Sequence, residues 1–114
     1  MMEYEITPMG DGCHTQVTIV FGGREATFRF LHHETRKIET LGECFAFIMS
    51  SANRYEYGDT AEDYLFDNFE EPYTDEQILT AKYEAVLWEL CWRGLRILFD
   101  EETIDLLDNI VDCI

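Results

Sequence analysis

Nine carboxylates fall between Tyr55 and Glu76: Glu56, Asp59, Glu62, Asp63, Asp67, Glu70, Glu71, Asp75 and Glu76. No Lys or Arg interrupts the sequence between Arg54 and Lys82. A second acidic run lies near the end, where Glu101, Asp105, Asp108 and Asp112 recur at helical spacing. Carboxylates so arranged suit one of three kinds of chemistry: proton transfer, cation binding, or electrostatic docking onto a basic surface. Proton transfer needs a carboxyl held in a buried setting beside a substrate pocket. Pairs such as Glu62/Asp63 and Glu70/Glu71 sit instead in a stretch whose polarity predicts solvation. A two-metal nuclease would add a lysine to converging acids, and neither Lys37 nor Lys82 has an evident acidic constellation around it. The chain has no GxSxG, P-loop, HExxH or GxGxxG motif, so no catalytic residue is assigned and a non-enzyme is expected.

Metal binding finds little support. His14, His32, His33 and Cys13 match no zinc spacing, and adjacent residues on a strand point to opposite faces. No EF-hand spacing organises the acids for a divalent cation. Neither metal nor cofactor is expected. Docking remains. Fixed like charges repel one another, so an ordered acidic array is favoured where a basic partner meets it. The same charge could instead serve solubility alone. Tyr55, Tyr57, Tyr64, Phe66, Phe69 and Tyr73 interleave the acids of the first run, whereas disordered acidic tails are poor in aromatics. This stretch is therefore expected to fold, packing one side and presenting the other. Glu56, Asp59, Glu62, Asp63, Asp67, Glu70, Glu71, Glu101, Asp105, Asp108 and Asp112, with Tyr57 and Tyr64, are the candidate partner-binding residues. Replacing Asp63, Asp67, Glu70 and Glu71 by alanine is expected to abolish binding and leave the fold intact.

These residues need a scaffold. The 114 residues fit one domain, and 46% hydrophobic content can build a core without disulfide or metal. Residues 3–8 alternate, with Tyr4 and Ile6 on one side, and read as a strand. A second strand runs from His14 to Phe21 and a third from Arg24 to Leu31. Gly22-Gly23 between them is a two-residue hairpin signal, which sets Ile19 opposite Ala26 and Val17 opposite Phe28. Thr40 to Glu43 fits a capping box and opens a helix with Leu41, Cys44, Phe45, Ile48 and Ala52 inward, ending near Asn53. Thr60 starts a short acidic helix anchored by Leu65, Phe66 and Phe69. Thr74 opens the longest helix, reaching about Phe99. Its expected inner stripe is Leu79, Tyr83, Val86, Leu87, Leu90, Gly94 and Ile97, widened by Ile78, Trp88, Trp92 and Leu95. Asp100 caps a last helix with Ile104, Leu107, Val111 and Ile114 inward. The expected fold is α+β in two layers. A three-stranded antiparallel meander (residues 1–38) precedes three main helices and the short acidic one (39–114).

Charge is unevenly divided. Residues 1–54 carry seven acids and five bases, and residues 55–114 carry seventeen acids and three bases. The net charge of -16 argues against direct nucleic-acid binding and against anionic membranes. No apolar run reaches the length of a membrane span, and MMEYEITP lacks the features of a signal peptide. A cytoplasmic protein with four free thiols (Cys13, Cys44, Cys91, Cys113) is expected.

In size, acidity and arrayed Asp and Glu the chain resembles small inhibitors of bacteriophages and mobile elements, among them anti-CRISPR and anti-restriction proteins. The resemblance is one of type and transfers no site residue. It implies a phage-encoded inhibitor acting in a bacterial host cell, its acidic surface competing for a basic nucleic-acid site. Two alternatives stay open: an immunity protein or antitoxin that caps a basic toxin, and a homo-oligomeric structural or regulatory domain, a homodimer among them.

Overall fold

In a computed structural model of the chain, residues 2–10, 14–31 and 40–112 are described, the side chains of residues 31 and 110–112 excepted. His32, His33, Cys13 and Cys113 lie outside the described residues, and so does Ile114. Three antiparallel strands, β1 (Met2–Pro8), β2 (His14–Phe21) and β3 (Arg24–Leu31), are followed by four helices. These are α1 (Leu41–Glu56), α2 (Ala61–Asn68), α3 (Asp75–Leu98) and α4 (Glu101–Asp112). The strand order is β1-β2-β3, and the arrangement is α+β.

The hairpin register follows from its two glycines. Gly22 and Gly23 adopt φ of 60° and 77°, which a residue with a Cβ reaches only with strain. Ile19 then pairs with Ala26 and Val17 with Phe28, as expected, and β1 continues the face with Ile6 against Val17. Val17, Ile19, Ala26, Phe28 and Phe30 form the inner side, buried under α1 and α3. Thr18 and Thr27 meet on the outer side at 3.3 Å. Tyr4, on the edge strand, stays half exposed because the helices do not extend over β1.

Each helix start follows local chemistry. Thr40 Oγ1 accepts from the Glu43 amide at 3.1 Å. Thr60 and Thr74 make complete capping boxes with Asp63 and Gln77. Asp100 Oδ1 accepts from the Thr103 amide at 2.8 Å. The α1 helix runs one turn past Asn53, because nothing stops it before Gly58, whose φ is +80°.

The orientation of α3 departs from expectation. Its buried face is Ala81, Leu87, Trp88, Cys91, Gly94, Leu95 and Leu98. Leu79, Val86, Leu90 and Ile97, expected inside, are exposed. The helix is apolar on several sides, so hydrophobicity alone does not fix its rotation. Small residues do. A Cβ at Gly94 would collide with the Phe28 ring, and Cys91 is buried in the same sheet-side core, while Ala81 opens the side toward α2. A second, smaller cluster of Tyr64, Leu65, Ala81 and Trp88 seats α2 on α3.

Candidate functional site

The acidic run between Tyr55 and Glu76 is wrapped around one cation. Arg54, in the last turn of α1, points inward rather than to solvent. Its Nε donates to Asp59 Oδ2 at 3.0 Å and its Nη2 to Asp67 Oδ2 at 3.4 Å. Its guanidinium lies 4.1 Å from the centroid of the Trp88 ring and 5.8 Å from that of Tyr64. One side chain thereby ties the α1–α2 connection, α2 and α3 together. A guanidinium suits this place because its plane stacks on the indole while its edges bond two carboxylates.

Three of the candidate acids are thus committed to the fold. Asp59 and Asp67 hold Arg54. Asp63 Oδ2 accepts from the Thr60 amide at 2.8 Å and from the Thr60 hydroxyl at 3.0 Å. Those two bonds, with a smaller contribution from Arg54, hold its carboxyl below the usual carboxylate range. The four-residue variant that includes Asp63 and Asp67 therefore removes fold contacts as well as charge. It does not isolate binding. Asp108 is a fourth, since Asn53 Nδ2 donates to its Oδ1 at 3.2 Å and links α4 to α1. Tyr64 is buried against Trp88 and Phe69, where it builds the α2 seat and offers no ring to a partner. The capping box sets where α2 begins, and packing against Ala81 and Trp88 of α3 turns Tyr64 and Leu65 inward; Phe66, expected to anchor the helix, is 81% exposed.

Glu56, Glu62, Glu70, Glu71, Glu101 and Asp105 are exposed, as is Tyr57. All but Glu70 and Tyr57 fall on two concave regions. A groove of about 700 Å³ between α2 and α3 is lined by the apolar Ala61, Leu65, Phe66, Tyr73 and Ile78, by the acids Glu62, Asp63 and Glu71, and by Lys82. A smaller cleft of about 180 Å³ lies where α1, α3 and α4 meet, and brings Glu56 beside Glu101, Asp105 and Asp108. Arg96, stacked 4.0 Å above the Trp92 ring, forms part of its wall. The buried Trp92 Nε1 also lines this cleft and has no hydrogen-bond partner among the described residues. The side chain of Asp112 lies outside the described part of α4.

Sequence reasoning missed Glu84. It lies on α3 one turn before Trp88, near Arg54 and His14, and burial pushes its carboxyl up to about 7 against their opposing pull. The signal was present: position 84 falls between Ala81 and Trp88 on the face that packs. Burial likewise raises Cys44 to about 11 and Cys91 to about 12, so both are protonated, unreactive free thiols. No group of three or more His, Cys, Asp or Glu among the described residues could hold a metal ion. No described helix is long and apolar enough to cross a membrane. Comparison with protein-family models, with curated proteins and with solved structures returned no match.

Proposed function

We propose that the chain is a non-enzymatic inhibitor whose acidic face blocks the basic nucleic-acid-binding site of a protein effector, in the manner of phage counter-defence proteins of the anti-CRISPR type. One observation carries this reading. Glu56, Glu62, Glu70, Glu71, Glu101 and Asp105 are exposed on a folded scaffold, while Arg54, the nearest cation in sequence to the first run, is turned inward and already engaged. The six exposed carboxylates are thus held on a folded scaffold and outnumber the cations beside them, Lys82 at the groove and Arg96 at the cleft. An ordered charge array loses less entropy on docking than a tail does, and its field steers a basic partner to it.

The exposed Phe66 and the apolar residues that line one groove with Glu62 and Glu71 favour a second reading, in which the partner is a single basic toxin and the chain its immunity protein. An aromatic anchor ringed by charge fits a protein pocket better than a row of phosphates does.

The test is a pulldown from a lysate containing basic nucleases and CRISPR effectors, eluted by a salt gradient. Capture of a nucleic-acid enzyme, displaced by its own DNA or RNA, is the expected outcome. Glu56, Glu62, Glu70 and Glu71 changed together to Gln should abolish capture and leave the thermal melt unchanged. Undiminished capture by that variant would sink the proposal, and capture of one small toxin would promote the second reading.

A further inference from the structure

The exposed face of α3 is built unlike the rest of the surface. Leu79, Val86, Leu90 and Ile97 are 69, 56, 50 and 50% exposed, and with half-buried Tyr83 and exposed Arg93 they form one stripe. The six positions are separated by four, three, four, three and four residues, the seam spacing of paired helices. That spacing reads the same in both directions. In an antiparallel pairing about the level of residue 88, Val86 meets Leu90 of a second copy, Leu79 meets Ile97, and Tyr83 meets Arg93. Two contacts join aliphatic side chains, and the third brings Arg93, bridged to Glu89 of its own helix at 3.0 Å, to Tyr83, whose ring also packs T-shaped against His14. A parallel pairing would bring Arg93 against Arg93. The stripe is thus complementary to itself under a two-fold axis, as an isologous interface requires.

Charge favours the same occupant. The chain carries -16, yet α3 holds four acids against three bases, whereas the remaining residues hold twenty against five. Two copies approaching along α3 meet less repulsion than they would along α2 or α4, which carry acids and no base. We propose that the chain forms an antiparallel homodimer through the outer stripe of α3, which uses none of the residues that line the acidic groove and cleft. The stripe is about 27 Å long at 1.5 Å per residue. That is the small end of specific interfaces, so a dissociation constant on the order of micromolar is expected.

Sedimentation equilibrium on the full chain tests it, at low and at high NaCl. The mass should rise toward twice the monomer's over about 1–100 μM, the range a small interface implies. Association should tighten with salt, because screening relieves repulsion between two -16 chains. Docking of the acidic face weakens with salt, so the two readings fail separately. Val86→Glu and Leu90→Lys, both at exposed positions, should each give a monomer whose thermal melt matches the parent's at concentrations below its dissociation constant. An equimolar mixture of the two should recover the dimer, since position 86 of one copy lies against position 90 of the other. A monomer at every concentration and salt would overturn the proposal. So would a dimer untouched by either substitution, variants that stay monomeric when mixed, or a stripe protected only by a foreign protein.

Discussion

The acids of the α1–α2 region and those of α4 are similar in density and unlike in use. Around α2, Asp59, Asp63 and Asp67 are bound into the structure, two by Arg54 and one by the helix cap, while neighbouring Glu56, Glu62, Glu70 and Glu71 are exposed. In α4 no base follows Arg96 in sequence, and the ties are local or single: Asp100 caps the helix and Asp108 accepts from Asn53. The shorter Asp side chain reaches its own backbone and a nearby guanidinium, and the longer Glu reaches past them into solvent. Removing charge around α2 therefore tests folding and binding together unless Asp and Glu are separated. Removing it from the exposed part of α4 tests binding alone.

The largest expected effect breaks this asymmetry at its centre. Arg54→Ala leaves Asp59 and Asp67 facing one another without their cation and uncovers Trp88, and should cost about 2–4 kcal/mol. Urea unfolding measures the loss, and limited proteolysis should cut within residues 57–74 in the variant first. Resistance of that segment would mean α2 is seated by Tyr64 and Leu65 without the cation. Arg54→Lys should recover only part of the loss, since an ammonium cannot stack and bond two carboxylates at once.

Next in size is a pH effect confined to the α2 side. The Glu84 carboxyl is raised to about 7 from its ordinary 4.5. The folded state therefore holds a proton that the unfolded chain releases, and stability falls as pH rises from 4.5 through 7. Glu84→Gln should match the parent near pH 4 and exceed it by about 2 kcal/mol at pH 8. Thermal melts across this range check the sign, and parallel pH profiles for parent and variant would contradict it.

The smallest effect is expected in α4. Glu101→Gln with Asp105→Asn should leave stability within about 0.5 kcal/mol of the parent, as for exposed residues without committed partners. The same pair should weaken capture of a basic partner if the α1–α3–α4 cleft contributes to docking. A large loss of stability here would erase the contrast between the two regions.

Most of the fold was legible because its signals are local. Gly22-Gly23 fixed the hairpin register, and Thr40, Thr60, Thr74 and Asp100 marked four helix starts, since a cap is satisfied by residues two or three positions away. The candidate site was legible only in outline. Charge and its crowding could be counted. Which acids are free depended on Arg54, which lies before the run in sequence and inside it in space. Phe66 and Tyr64, alike as aromatics in the sequence, went opposite ways because Ala81 and Trp88 of α3 receive Tyr64 and Leu65, and Phe66 lies on the other side of the helix.

By itself, then, the amino-acid sequence determined the strand pairing, the helix starts and the concentration of negative charge in the second half, all of which rest on neighbours along the chain. Only the tertiary structure decided which face of α3 meets the sheet, where Gly94 admits Phe28. It also decided which carboxylates are committed to Arg54 and that Glu84 is half-buried. Those outcomes depend on contacts between residues far apart in sequence, and an apolar helix with several possible faces takes its rotation from what it packs against.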